Sequence, residues 1–140
     1  MSIVPGLLFF GLVSCAADRH AIRDDDTEKA DLIERAGAYW DGVRWRDLSG
    51  PLGCIESVDE RAVWSSWFDA YQAEFQVTEA EVISARVAAS DPAADAAYLR
   101  QGTVTVRVEG IVQATQKVDV QTIEQSWYRT SGGWFVRWAP

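Results

Sequence analysis

Acid–base chemistry in this chain would have to come from four carboxylates and three phenols. Asp69, Glu74, Glu109 and Glu124 are the candidate acids, and Tyr39, Tyr71 and Tyr128 the candidate donors. A buried carboxyl beside a phenol can move a proton at neutral pH, because burial pushes the carboxyl pKa upward. No spacing in the sequence brings these residues together, and each has a simpler role as a surface carboxylate or a core aromatic. Other reactive side chains are sparse. His20 is the only histidine, and it lies in the polar stretch AADRHAIRDDDT at 16–27, where nothing holds it in place. Cys54 sits among Leu52, Gly53 and Ile55 and reads as a small buried hydrophobe. Residues 28–140 hold no histidine, paired cysteine, Gly-rich phosphate loop or closely spaced carboxylate pair flanked by apolar residues. Metal hydrolysis, nucleotide chemistry and a Ser–His relay each need one of these. No catalytic residue, metal or cofactor is therefore expected.

Aromatic surface is what the chain has in quantity: Trp40, Trp64, Trp67, Tyr71, Trp127 and Trp134. Most of it must serve the core of so small a domain. A minority can line a cleft, where a Trp or Tyr ring offers apolar area with a polar edge. Trp40, Trp67, Tyr71 and Trp127 are the expected binding residues, for a partner protein or an apolar small molecule. The length of 140 residues suits one domain with appendages. The net charge of −8 argues against nucleic acid, which demands basic patches. It also disfavours polybasic attachment to a membrane, and reads as solubility.

Residues 3–17, IVPGLLFFGLVSCAA, are almost wholly apolar. The run is too short to span a bilayer, which takes about 20 residues, and suits the apolar core of a signal peptide. Leu12-Val13-Ser14-Cys15 at its end resembles the lipobox of bacterial lipoproteins. That resemblance implies a signal peptide at 1–14, a lipid on Cys15 that holds the protein to a membrane, and a polar tether at 15–27. The run departs from the family pattern in having no Lys or Arg before it; an ordinary secretory signal cut near Ala16 is the alternative. Ala16 stands where enterobacterial inner-membrane lipoproteins carry Asp, so the resemblance implies an outer-membrane lipoprotein facing the periplasm. Either cut leaves Cys54 a free thiol.

A helix capped by Asp26 or Thr27 should run to about Trp45, burying Ile33, Ala36, Trp40 and Val43. Ser49-Gly50-Pro51 should stop it, with Leu48, Leu52 and Ile55 holding a short turn or one-turn helix. Ser57 and Glu60 form a capping-box pattern for a second long helix to about Phe75. Trp64, Trp67, Phe68, Tyr71 and Phe75 give that helix one wide aromatic face, expected to pack on the terminal hairpin. Residues 77–89 alternate, with Val77, Glu79, Glu81, Ile83, Ala85 and Val87 on one side and Ala80 and Val82 on the other. Asp91-Pro92 should break the strand, and 93–97 could form a helical turn. Val104, Val106 and Val108 alternate inward with Thr103, Thr105, Arg107 and Glu109 outward, and Gly110 marks a bulge. Residues 118–138 read as two strands around Ser131-Gly132-Gly133. Val118 and Val120 fall opposite Ile123 and Trp127, which calls for a bulge near Gln121-Thr122.

This order, with YWDGVRW on the first helix and QSWYRTSGGWFVRW at the end, is similar to small bacterial NTF2-like lipoproteins. The resemblance covers residues 28–140. It implies an α+β, cystatin-like cone: two or three N-terminal helices packed on a curved four-stranded antiparallel sheet. The superfamily hosts binding domains, enzymes of ketosteroid isomerase or dehydratase type, and accessory domains, so the fold does not choose among them. Binding without turnover is the expected function. The alternatives are such an enzyme, or a structural subunit of an envelope assembly that uses Arg107, Glu109, Gln121 and Gln125 on the outer face of the sheet.

Overall fold

The computed structural model describes residues 24–89 and 100–138. Cys15, His20 and the stretches expected to form a signal peptide, a tether and a helical turn at 93–97 lie outside the described residues. Among the described residues the protein is α+β: three helices pack on one antiparallel sheet with strand order β1-β2-β3-β4.

Helix α1 (Asp25–Trp45) starts less than a turn earlier than its sequence suggests. Asp24 is the cap, its Oδ1 accepting from the Asp26 N–H at 3.3 Å, and Asp25, Asp26 and Glu28 fill the first turn, where the helix dipole favours negative charge. Leu32, Ala36, Tyr39, Trp40 and Val43 form the buried stripe, while Ile33 is 39% exposed. The helix does not run on to Ser49-Gly50-Pro51. It ends at Arg46, which turns left-handed at φ 57°, so that the Asp47 N–H reaches the Gly42 carbonyl at 2.9 Å. Ser49-Gly50-Pro51 instead belong to a short helix, α2 (Ser49–Gly53). Beyond it Cys54 is a free, fully buried thiol, and burial pushes its pKa up.

The Ser57 hydroxyl caps α3 (Val58–Glu74), accepting from the Glu60 N–H at 3.4 Å. Its aromatic residues form two columns, because side chains four apart stack along a helix. Trp64 stacks on Phe68 with centroids 4.9 Å apart, and both are buried. Trp67 stacks on Tyr71, also at 4.9 Å, and this column is only partly buried. The first column meets Tyr39 of α1; the second meets Trp138 after the last strand, at 5.9 Å.

In β2 (Arg100–Val112), Val104, Val106 and Val108 are fully buried. Strand β1 (Phe75–Val87) pairs with it through register shifts at Val77/Glu79 and Val82/Ser84. Each extra residue flips the alternation. Val77, Ala80, Val82 and Ala85 therefore share the helix side, while Glu79, Glu81 and Ile83 are exposed, against the simple period-two reading. The bulge expected at Gly110 lies in β1 across from it. Gly110 is glycine because the Phe75 ring lies on it: a Cβ there would come within 2.5 Å of Phe75 Cζ. Strand β3 (Lys117–Thr130) pairs with β2 in unbroken register, so no bulge occurs at Gln121-Thr122. Ile123 and Trp127 face the helices, and Val118 and Val120 are left 64% and 46% exposed, at an end of the hairpin where residues 114–120 are all exposed. A two-residue turn leads to β4 (Gly133–Arg137), with Gly133 at φ 120°, where a side chain would be strained.

Two ion pairs fasten the start of α1 to the sheet. Arg100 and Arg129 are directly opposite across β2 and β3 on the helix side, a repulsive placement by itself. Asp25 meets Arg100 at 2.6 Å and Glu28 meets Arg129 at 2.6 Å. Glu28 is 3% exposed. Arg100 also donates twice to the Ala88 carbonyl, at 3.1 and 2.8 Å, closing the end of β1.

Candidate functional site

Strand β4 ends at Arg137 opposite Ser126, while β3 continues back to Lys117 with only β2 beside it. Next to this unpaired edge, Trp67 and Tyr71 of α3 stand over Ile123 and Gln125. The result is a cleft of about 290 Å³, whose floor and walls include Tyr39, Trp40, Val136 and Trp138. That volume lies just below the range of about 300–1,000 Å³ for ligand pockets.

Two hydrogen bonds fix polar groups at and behind the cleft. Trp40 Nε1 donates to Gln125 Oε1 at 3.0 Å, and Trp64 Nε1 donates to the Tyr39 hydroxyl at 3.0 Å. Burial pushes the Tyr39 phenol up to about 12, outweighing the contacts with Trp64 and Gln125 that favour the ionised form. The Tyr71 hydroxyl oxygen is buried and has no hydrogen-bond partner among the described residues. Burial likewise pushes Tyr71 up to about 12. Both phenols are therefore neutral donors at neutral pH, and Tyr71 has its donor to spare.

The Tyr39 shift has a consequence for stability. The unfolded phenol ionises near its ordinary 10.0, and the folded one only near about 12. Tyr39's contribution is thus whole below pH 10 and is lost as pH rises towards 12, a fall of about 2–3 kcal/mol. Tyr71 acts in the same direction, less strongly because it is more exposed. Urea unfolding at about pH 9 and about pH 11 checks this, and Tyr39→Phe should show a smaller alkaline loss.

The expected site residues separate in space. Trp40, Trp67 and Tyr71 meet in the cleft. Trp127 does not line it: at 1% exposure it lies behind, edge-on to Tyr39 at 6.1 Å, as part of the core. Asp69 and Glu74 are exposed on α3. Glu109 lies on the other face of the sheet, 3.4 Å from Arg107. Glu124 is exposed at the cleft's rim, on the opposite side of β3 from Gln125. Tyr128 is also on the far face, its hydroxyl 3.4 Å from Glu56. The polar surface expected from Arg107, Glu109, Gln121 and Gln125 is split. Gln121 and Gln125 pair with Val108 and Val104 and share the helix side with them. The inward position beside the aromatic column thus carries an amide, Gln125. Its signal in the sequence was its alternation with Ile123 and Trp127.

No protein-family model matches the chain, and no curated protein matches it. Among solved structures it is similar to the solution structure of a SEC-C motif containing protein from Rhodopseudomonas palustris. The identity is 12%, over 81% of this chain and 88% of that one, with a TM-score of 0.49. Among the described residues no helix is long and apolar enough to cross a membrane, and no cluster of His, Cys, Asp or Glu could hold a metal ion.

Proposed function

We propose that this is a lipid-anchored, NTF2-like binding domain of the bacterial envelope, which takes an apolar group in its aromatic cleft without turning it over. Cys15 carries the anchor, and the domain faces the periplasm from the outer membrane. The observation that carries the binding reading is the cleft itself. Its walls are Trp40, Trp67, Tyr71, Ile123 and Trp138; the Gln125 amide and the Tyr71 phenol stand among them, and Glu124, Ser126 and Arg137 complete the lining. Aromatic rings beside a buried phenol with its donor to spare suit an apolar group bearing an acceptor oxygen. An amide already held by Trp40 is not a base. A partner protein would present such a group from an extended segment laid along the unpaired edge of β3, since an open strand edge accepts another strand. A small molecule would present it alone.

The test is titration with a neutral apolar fluorophore, N-phenyl-1-naphthylamine. Saturable one-site binding is expected, weakened at least about tenfold by Trp67→Ala and by Tyr71→Ala. Equal binding by wild type and Trp67→Ala would overturn the assignment of the cleft. The separate claim of no turnover is tested in the native host with Asp69→Asn, Glu74→Gln, Glu109→Gln and Glu124→Gln. Loss of phenotype in one of these at unchanged stability and abundance would point instead to an enzyme.

A further inference from the structure

The two edges of the sheet are built differently. On one side the sheet ends on β1, whose register is broken twice, at Val77/Glu79 and Val82/Ser84, and whose Glu79 and Glu81 are exposed. Bulges and charges of this kind keep an edge strand from pairing with another chain. On the other side β3 has 14 residues and only five of them pair with β4. That leaves nine, Lys117 to Gln125, with no strand beside them among the described residues. This stretch pairs with β2 without a bulge and contains no proline. Val118 and Val120 stand on it 64% and 46% exposed. An unbroken open edge with β-branched side chains on one face is a template for a further strand.

The side chains of this edge suit a second copy of the same edge. Two such strands pair antiparallel about a two-fold axis normal to the sheet, which keeps like faces together and joins the two sheets into one. That axis admits only registers in which one residue lies opposite its own copy, and the side chains separate them. Centred on Asp119, two carboxylates would face each other. Centred on Gln121, Val118 would face Glu124, and centred on Thr122, Val120 would face it. Centred on Val118, only Lys117 to Asp119 would pair, because the β2–β3 turn lies just before them. Centred on Val120, Lys117 to Ile123 pair throughout. Val120 then meets the partner's Val120, and Val118 meets the partner's Thr122 at both ends of the row, three β-branched pairs on the exposed face. On the helix side Asp119 meets the partner's Gln121, whose amide can donate to it, and Lys117 meets the partner's Ile123. No two like charges are directly opposite.

We infer that the free edge of β3 pairs with the same edge of a second copy of this chain, in the register centred on Val120. The pairing leaves room for the helices. The cleft walls over Ile123 and Gln125 fall at opposite ends of the joined segment in the two copies. They are separated by about 20 Å or more along the strands, against a helix diameter of about 10–12 Å. Each copy also brings its β2–β3 turn, residues 113–116, up to the partner's Gln125 at the mouth of the cleft. With the edge occupied in this way, the cleft is left to a small molecule instead of a partner's strand. The pairing itself does not depend on the cleft holding a ligand.

Thiol cross-linking of the full chain in a bacterial host tests the register. A short bifunctional reagent should join two chains of Val120→Cys, since residues directly opposite have Cβ atoms about 4.5–5.5 Å apart. Val118→Cys should cross-link to co-expressed Thr122→Cys and not to itself. Ile83→Cys, comparably exposed on β1, should stay uncrosslinked, and the wild type, with Cys54 buried, gives the background. In detergent solution the full chain should sediment as a dimer. Val120→Lys sets two ammonium groups face to face and should weaken that dimer at least about tenfold, with far-UV circular dichroism unchanged. The inference is overturned by a monomer at about 100 µM, a concentration at which a specific dimer forms. It is equally overturned if Val120→Lys dimerises as wild type does, or if Ile83→Cys cross-links as well as Val120→Cys. Cross-linking of Val120→Cys only to a different protein would also overturn it, and would give the edge to a heterologous strand.

Discussion

Trp64→Ala is expected to lower the unfolding free energy by about 3–5 kcal/mol, the usual cost of deleting a buried tryptophan. Trp64 is completely buried. It stacks on Phe68, lies edge-on to Tyr39 at 6.2 Å, and donates its indole N–H to the Tyr39 hydroxyl. The substitution opens a cavity at the junction of α1 and α3 and removes a buried donor from Tyr39 as well. A domain of this size has about 5–15 kcal/mol in reserve, so the variant should be largely destabilised at ambient temperature. The aromatic face of α3 alone suggests Trp67 as the critical residue. Trp67 is only partly buried, in the column that walls the cleft. Trp67→Ala should therefore cost less stability than Trp64→Ala and more binding. Urea unfolding of the two variants side by side decides the matter. Equal losses would mean that the two columns do not divide the work in this way.

Glu28→Ala is expected to cost a similar amount, about 3–5 kcal/mol, because it leaves a buried charge without its partner. The Glu28 carboxylate is 3% exposed and meets Arg129 Nε at 2.6 Å, off the in-line hydrogen-bond angle, so the attraction is chiefly coulombic. The loss is aggravated by Arg100, which stands directly opposite Arg129 on the same face. Asp25 neutralises only Arg100, and from an exposed position. The double change Glu28→Leu with Arg129→Met should recover most of the stability, since a well-packed apolar pair can replace a buried ion pair. The readout is the urea midpoint at constant slope. A single variant within about 1 kcal/mol of wild type would reduce the pair to the status of a surface contact.

Local signals in the sequence read through to the structure wherever the deciding interaction was itself local. The Ser57–Glu60 cap, the strict alternation of Val104, Val106 and Val108, and the glycine turn before Trp134 depend on neighbours a few residues away. So does the end of α1, although its Arg46 C-cap carried no Gly or Asn to announce it. The α+β order of helices before strands was legible for the same reason. Nothing local separated Trp40, Trp67 and Tyr71, which line one cleft, from Trp127, which belongs to the core.

Tertiary structure alone decided which face each strand residue took. The two bulges of β1 turned Glu79 and Glu81 to solvent, and they arise from pairing with β2 that no period-two count contains. The exposure of Val118 and Val120 followed from the unbroken pairing of β3 with β2, which puts them on the face away from the helices. Burial of Glu28 needed Arg129, 101 positions away, to stand beside it. Sequence by itself determined the elements, the aromatic supply and the poverty of catalytic side chains. Register, bulges and buried charge pairing determined what those elements bring together, because each is an interaction between residues far apart in the chain.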